Sequence, residues 1–566
     1  MTAKSVNAAN PDNTVNPDNT VNCDVVILGS GLAGSTLAAV LARAGLSVVL
    51  VDAASHPRFA VGESTIPPLM AWLKLLAVRY QVPEINALTS VDKSTEQIGT
   101  SFGVKRHFGF MLHRPGQEPD PRESNQYVIP DMLTSASHLF RQDCDYYMFQ
   151  VAAQYGVQTR QNWRARDVDL DDDGVTVVGH SGEVLRGRYL VDASGFRSPL
   201  AEKLDLREQP ARFKHHSRSM FTHMVGVRPF DDVSWHPADQ RPKARWHEGT
   251  MHHLFERGWF WIIPFDNYGP SRNRLCSVGV TLDERLYPKN PDLTPEQEFY
   301  SLLEQYPAVA RQFEGAAKAR EWVSTDRLQY SSRQTVGPRW CLMSHAAGFI
   351  DPLYSRGLCN TFELLNSLAW RLIAACRDDD FSAERFEFVE KLEQGLLDYN
   401  DDLVNCSFIS FSHFRLWDAV FRVWGLITTP NTMRITTALG HYNLHDRDES
   451  YLLKLEDSPY TGMFWPDSPH LQKILDVMVE VCEKYEIGEL SGDEAADRLF
   501  STVAASPVTT PFGWDDPAKR FIYPGPRDMI KYLRWAATSD VPELRTLGRE
   551  TVRGMVSSAL KRKKFL

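Results

Sequence analysis

The sequence predicts an α/β protein: a nucleotide-binding α/β domain, a β-rich region inserted into it, and a helical C-terminal region. Three observations carry this. A buried-strand pattern runs straight into a glycine-rich turn near the N-terminus. Residues 215–285 are dense in aromatic and β-branched residues arranged in strand-like runs. From about residue 360 the periodicity is mainly helical. With 566 residues the chain exceeds one compact core.

The elements follow in order. Residues 1–21 hold a near-duplicate Asn-Pro-Asp-Asn-Thr-Val, too polar to fold, and read as a disordered leader, with order beginning at Cys23. Cys23–Leu28 reads as a buried strand, Gly29–Gly34 as a glycine turn, Ser35–Ala44 as a helix and Leu46–Val51 as a second strand ending at Asp52. Thr134–Tyr155 reads as one long helix. Gly174–Val178 and Val184–Val191 read as strands. The domain assignment is 22–375 for the nucleotide-binding domain, with the β-rich substrate region inserted at about 205–330, and 376–566 for the helical region, which has loops near 428–432 and 504–527. The basic tail Lys561–Lys564 reads as a solvated helix end.

Composition excludes several classes. The net charge of −10, from 62 basic and 72 acidic residues, speaks against nucleic acid as a partner. The eight cysteines show no Cys-x-x-Cys and no Cys/His ligand spacing, so they read as buried thiols of a reducing compartment. No metal centre is expected; the pairs His215–His216 and His252–His253 lack a third ligand at metal spacing. No signal peptide and no membrane span are read, and the expected location is the cytoplasm.

Strand, Gly29-Ser30-Gly31-Leu32-Ala33-Gly34, helix, strand and Asp52 together form a Rossmann-type dinucleotide fingerprint. Gly29 permits the tight turn, Gly31 lets backbone approach a pyrophosphate, and Gly34 lets helix and strand pack. The helix start at Leu32 and Ala33 offers free N–H groups to the phosphates, and Asp52 a ribose contact. The motif does not separate FAD from NAD. Three later segments favour FAD: Leu190-Val191-Asp192-Ala193-Ser194-Gly195, Arg141 with Asp145 and Met148 on a helix, and Ala346–Leu353 with Asp351 after the strand Trp340–Met343. Their order resembles flavoprotein monooxygenases of the hydroxybenzoate-hydroxylase fold.

Gly258-Trp259-Phe260-Trp261-Ile262-Ile263-Pro264 places Trp259 and Trp261 on one strand face, where two large rings can wall off a cavity. This segment matches the Trp-x-Trp-x-Ile-Pro motif of the flavin-dependent halogenases. The loop Gly62-Glu63-Ser64 resembles that family's Gly-Glu-Ser/Ala loop beside the flavin, and Asp351–Leu358 resembles its halide-binding turn, with Ser355, Arg356 and Gly357 as halide contacts. The texture from Met343 to Gly357 and through the helical region is similar to the tetracycline 7-halogenase type, and the resemblance covers most of the chain from Cys23 onward.

The resemblance implies a defined chemistry. A separate NADH-dependent flavin reductase supplies FADH2, and O2 with chloride or bromide then yields hypohalous acid. This acid travels through a tunnel to a lysine that presents the halogen to an electron-rich aromatic substrate, free or carrier-bound, in antibiotic-like biosynthesis. The position that carries the lysine in tryptophan halogenases is Ala71 here. The best match to the phenol and pyrrole enzymes is Lys105, with Lys74 and Lys93 behind it; the bland reading of Lys105 is a solvated lysine in a basic loop. Two departures stand out. Tyr354 replaces the glutamate of tryptophan halogenases, which favours a phenolic ring. Ser344-His345 replaces the usual Gly-Asp of flavoproteins. The competing readings are an aromatic hydroxylase on the same fold, which would need neither halide site nor lysine, and a flavin-binding protein without turnover.

Overall fold

The computed structural model describes residues 20–128, 136–234, 236–457 and 468–564, with side chains described through residue 557. The leader through residue 19 and the side chains of Lys561–Lys564 lie outside the described residues.

The first sheet is built on Thr20–Leu28. Val25, Val26 and Ile27 are fully buried, the pattern of a strand covered on both faces. Thr20–Leu28 pairs in parallel with Val184–Asp192 on one side and Val48–Val51 on the other; Trp340–Leu342 and Gln158–Arg160 extend the sheet outward, again in parallel. Leu28 lies level with both Asp192 and Val51, and Asp192 with Leu342. Four strand ends therefore share one rim, and in an open α/β sheet ligands bind outside such carboxyl ends.

The turn after Leu28 has a steric cause. Gly29 has φ +95°, and a Cβ there would stand 2.5 Å from the Ala193 carbonyl oxygen. A Cβ at Gly34 would collide with the Gly29 carbonyl. The helix Leu32–Arg43 can therefore start at once and pack against its strand.

The second sheet runs in the order Ala317–Lys318, Ser217–Val225, Leu275–Asp283, Gly258–Pro264, Thr250–Phe255, His107–Leu112, Ser124–Val128, Phe521–Ile522. It recruits strands from well outside residues 205–330. In Gly258–Pro264, Phe260 and Ile262 pack into one core around Phe299 and Tyr306, while Trp259, Trp261 and Ile263 pack into the main core on the opposite face. The C-terminal helices cover that face. Phe414–Leu444 lays Trp417 and Phe421 against Phe110, with ring centres 5.0 and 4.9 Å apart.

The structure differs from the sequence expectations at five places. Residues 20–22, expected to lie in the leader, belong to the first strand, where Thr20, Val21 and Asn22 pair with Val184, Leu185 and Arg186. The helix expected from Thr134 begins at Arg141 instead; Ala136–His138 is a strand paired with Gly103–Lys105, and residues 134 and 135 lie outside the described residues. The loop expected at 428–432 is continuous helix through Pro430. Hydroxyls of Thr428 and Thr432 bond back to the Trp424 and Thr428 carbonyls, and burial on every side overrides the local propensity. Within the loop expected at 504–527, Phe521–Ile522 forms a strand on Gln126 and Tyr127. The helix Arg356–Asp378 crosses the expected boundary at 375.

Candidate active site

A cleft of about 1220 Å³ opens along the shared rim, lined by Gly29, Gly31, Leu32, Ala33 and Asp52 at one end and by Met343, Ser344, His345, Leu358 and Thr361 at the other. Gly31 precedes the helix Leu32–Arg43 without a side-chain cap and with no acidic residue in the first turn, so the positive helix end faces the cleft. A Cβ at Gly31 would meet nothing closer than Asp145 Oδ2 at 3.8 Å. Gly29 and Gly34 thus serve the turn, while Gly31 keeps cleft volume open.

Asp52 accepts from the Ser30 N–H at 2.7 Å, the Ser30 hydroxyl at 2.8 Å and Arg58 at 2.7 Å. Burial opposes its ionisation, but Arg58 and these donors outweigh burial and hold the carboxyl below its usual range. Arg141 also lines the cleft. It pairs with buried Asp145 at 2.7 and 2.9 Å and donates to the Val61 carbonyl at 2.5 Å. Burial works against its charge, yet Asp145 raises the guanidinium pKa overall. At the far end, burial pushes His345 down to about 4, so its imidazole is neutral, and its Nε2 is buried without a hydrogen-bond partner. An open pyrophosphate cradle, a positive helix end and an unpartnered imidazole nitrogen fit FAD.

Three expected cofactor contacts, Asp192, Asp351 and Glu63, are not among the residues that line this cleft. Asp192 accepts from the Ser194 N–H at 2.9 Å, and from the Ser194 and Ser198 hydroxyls at 2.5 and 2.6 Å, which fixes the loop behind the wall. Asp351 accepts from the Leu353 N–H at 2.9 Å and the Ser217 hydroxyl at 3.1 Å. Glu63 pairs with His223 at 2.6 Å, both side chains 2% exposed. Each carboxylate is consumed by protein partners.

Lys105, the lysine matched to the phenol and pyrrole enzymes and alternatively read as solvated in a basic loop, is 1% exposed. Its Nζ donates to Ser64 Oγ at 2.6 Å and Ser355 Oγ at 3.2 Å, and lies 3.6 Å from the centre of the Phe108 ring. Burial pushes its pKa well below that of an ordinary lysine. One amine thus joins the Gly62-Glu63-Ser64 loop, the turn at Ser355 and an aromatic strand. Lys74 and Lys93 lie elsewhere, partly exposed on the helices Pro67–Arg79 and Val91–Gln97. Ser355 has φ +53° and precedes the helix Arg356–Asp378. Its own N–H is committed to the Pro352 carbonyl at 2.9 Å, which narrows the anion-facing donors of this turn to the helix N–H groups after it. The Arg356 guanidinium stacks 4.5 Å from the Tyr399 ring centre.

Comparison with known proteins decides the family. Residues 22–379 match the FAD binding domain family. The chain is 53% identical over 525 residues to the tetracycline 7-halogenase of Kitasatospora aureofaciens, covering 93% of this chain and 94% of that one. It is 47% identical over 483 residues to the monodechloroaminopyrrolnitrin halogenase PrnC of Pseudomonas fluorescens, covering 85% and 84%. The crystal structure of halogenase PltM in complex with phloroglucinol and FAD superposes with a TM-score of 0.85 at 34% identity, covering 88% of this chain and 99% of that one. The chain belongs to the flavin-dependent halogenases.

This halogenase is therefore an FAD-dependent oxidoreductase that halogenates aromatic compounds in natural-product biosynthesis. Among the described residues no helix is long and apolar enough to cross a membrane. Around Phe108, the ring beneath the Lys105 amine, lies a buried aromatic cluster. Phe108 meets Trp424 edge-on at 4.7 Å, Phe110 stacks on His252 at 4.2 Å, and Trp259 lies 5.3 Å from His252 and 5.6 Å from Trp261. Tyr354 joins it, 5.3 Å from Trp424, with its hydroxyl on Ser407 Oγ at 2.7 Å.

Sequence reasoning missed His138, Thr250, Phe108, Trp417 and Trp424. Phe108 carried a usable signal, since a strand alternating from Lys105 puts aromatic rings beside it. Trp417 and Trp424 recur at i and i+7, which marked a helix face but not what it covers. His138 and Thr250 had no local signal.

Proposed function

We propose that Lys105 carries the halogen from the flavin cleft to the aromatic substrate. The observation that supports this is its position. Ser355, one of its two hydroxyl partners, precedes the helix whose Leu358 and Thr361 line the cleft, and Phe108, beneath its amine, belongs to the aromatic cluster.

Bound FAD, reduced by a separate NADH-dependent reductase, supplies with O2 the two-electron oxidation of halide to hypohalous acid. The protein's own groups do the rest. Gly31 and the N-terminus of Leu32–Arg43 hold the pyrophosphate, and Asp52 with Arg141 frames the same end. The N–H groups that open the helix Arg356–Asp378, at Gly357 and Leu358, hold chloride or bromide beside the ring. The neutral Lys105 amine takes X⁺ from HOX: the N–X bond forms, the O–X bond breaks, and the amine proton leaves with hydroxide as water. The ring then takes X⁺, returns its proton, and restores the amine. The sum is ArH + HOX → ArX + H2O. Trp259, Trp261 and Phe110 keep water from the halogenated amine.

The substrate is an electron-rich phenolic ring of polyketide type, free or carrier-bound. Tyr354 in place of a carboxylate supports this, because a phenol supplies its own electron density. Two relatives, named as a tetracycline 7-halogenase and a monodechloroaminopyrrolnitrin halogenase, support a substituted ring. The deciding experiment offers the purified enzyme, with FAD, a flavin reductase, NADH and O2, a panel of phenolic polyketides including tetracycline-like rings. A product whose isotope pattern changes from chlorine to bromine with the salt, and which is lost in Lys105→Ala while flavin reoxidation continues, supports the assignment. A product heavier by one oxygen, whatever the salt, overturns it.

A further inference from the structure

A chain of short hydrogen bonds leaves Lys105 on the side away from the flavin cleft. Ser64 Oγ, which accepts from Lys105, lies 2.7 Å from Thr250 Oγ1. Thr250 Oγ1 lies 3.0 Å from His138 Nε2, and His138 Nδ1 lies 2.8 Å from the Pro264 carbonyl oxygen. Ser64, Thr250 and His138 are all buried, and Pro264 closes the Trp259–Trp261 strand.

The direction of this chain is fixed from its far end. A carbonyl oxygen only accepts, so His138 Nδ1 carries the proton. Burial pushes the His138 pKa down to about 3, so the ring is neutral and Nε2 accepts. Thr250 then spends its single proton on His138 and accepts from Ser64. Ser64 spends its proton on Thr250 and can only accept from Lys105. We propose that His138 is a positioning residue for halogen transfer: through Thr250 it keeps the Ser64 hydroxyl, the nearer of the two hydroxyl partners of Lys105, from donating to the lone pair of the amine. This rests on Lys105 being the halogen carrier. A hydroxyl proton donated into that lone pair would tie up the electrons that must attack the halogen.

The consequence differs from that of a structural network. Thr250→Val removes the acceptor for the Ser64 proton, and His138→Phe removes the acceptor for the Thr250 proton, so that Thr250 can donate to Ser64 instead; either change lets Ser64 turn its hydroxyl onto Lys105. Ser64→Ala added to Thr250→Val removes the offending proton and restores a free lone pair, although it breaks one more bond. The chemistry therefore expects rescue where a structural role expects further damage.

The test uses the full-length FAD-loaded enzyme with a flavin reductase, NADH, O2, bromide and phloroglucinol as the ring. It records flavin reoxidation, brominated product, and hypobromous acid escaping to a soluble 1,3-diketone trap. Thr250→Val and His138→Phe are expected to reoxidise flavin at the parental rate, to lose about tenfold in brominated product, and to release the difference to the trap. Ser64→Ala/Thr250→Val is expected to regain most of that loss. Independently of any ring, ¹⁵N spectra of histidine-labelled enzyme are expected to show His138 protonated at Nδ1. The inference is overturned by a His138 proton on Nε2, by parental product yield in Thr250→Val, or by a double variant no better than Thr250→Val. Lys105→Ala runs alongside. If it still brominates, the carrier assignment itself fails; if it is inactive while Thr250→Val is normal, only the role of His138 fails.

Discussion

The Lys105 amine sits 3.6 Å from the centre of the Phe108 ring, and Trp424 packs edge-on against that same ring at 4.7 Å. A charge-bearing group so enclosed costs stability unless it gives up its proton. Burial lowers its folded pKa well below 10.5, so between the folded and the unfolded pKa the unfolded chain binds the extra proton. The contribution of Lys105 to stability therefore becomes less favourable as pH falls through that window. Lys105→Met is expected to melt higher than the parent at pH 7, by about one to a few degrees, with the gap narrowing toward pH 10. Thermal unfolding across that range checks the sign; a gap that widens with pH refutes it.

Gly31 and Gly34 should part company under substitution. Gly31→Val adds bulk where only Asp145 Oδ2 stands nearby, so the fold is expected to hold while FAD affinity falls at least about tenfold. Gly34→Ala drives a methyl into the Gly29 carbonyl and is expected to cost about 3 kcal/mol of stability. Flavin titration and unfolding midpoints on both variants separate the two roles.

Arg141 and Asp145 are both buried and bonded at 2.7 and 2.9 Å. Arg141→Ala strands a carboxylate and is expected to cost about 3–5 kcal/mol. Arg141→Ala/Asp145→Ala is expected to recover much of that stability without recovering FAD affinity. Equal recovery of both would show that Arg141 acts on the fold alone.

Gly279 supports Trp261 from behind. A Cβ there would run into the Trp261 ring and stand 2.7 Å from Phe221 Cβ. Gly279→Ala is expected to push Trp261 against Trp259 in the aromatic cluster and to raise the KM for the substrate ring several-fold, with FAD binding unchanged. A ring-independent loss of flavin binding would contradict the placement.

The legible parts of this molecule are those with local cause. The glycine turn needs Gly29 at φ +95° and Gly34 beneath it, and both needs are written in adjacent residues. The alternation Trp259, Phe260, Trp261 assigns each ring to a face through the two-residue period of a strand. Lys105 could be singled out by its neighbours, although not its burial. What could not be read is what long-range pairing decides. Ala136–His138 became a strand because Gly103–Lys105 lay beside it, and Thr428–Thr432 stayed helical because burial outweighed a proline. The motifs around Glu63, Asp192 and Asp351 are legible, but their carboxylates have partners far along the chain or within their own loop, which no local pattern reveals.

Phe521 and Ile522 complete the sheet by pairing with Gln126 and Tyr127, nearly four hundred residues earlier in synthesis. Every residue of the flavin cleft, from Leu28 to Thr361, leaves the ribosome before that strand does. A chain cut before Phe521 would therefore carry every residue that lines the cleft while leaving Gln126 and Tyr127 on an unpaired sheet edge, a template for the wrong partner strand.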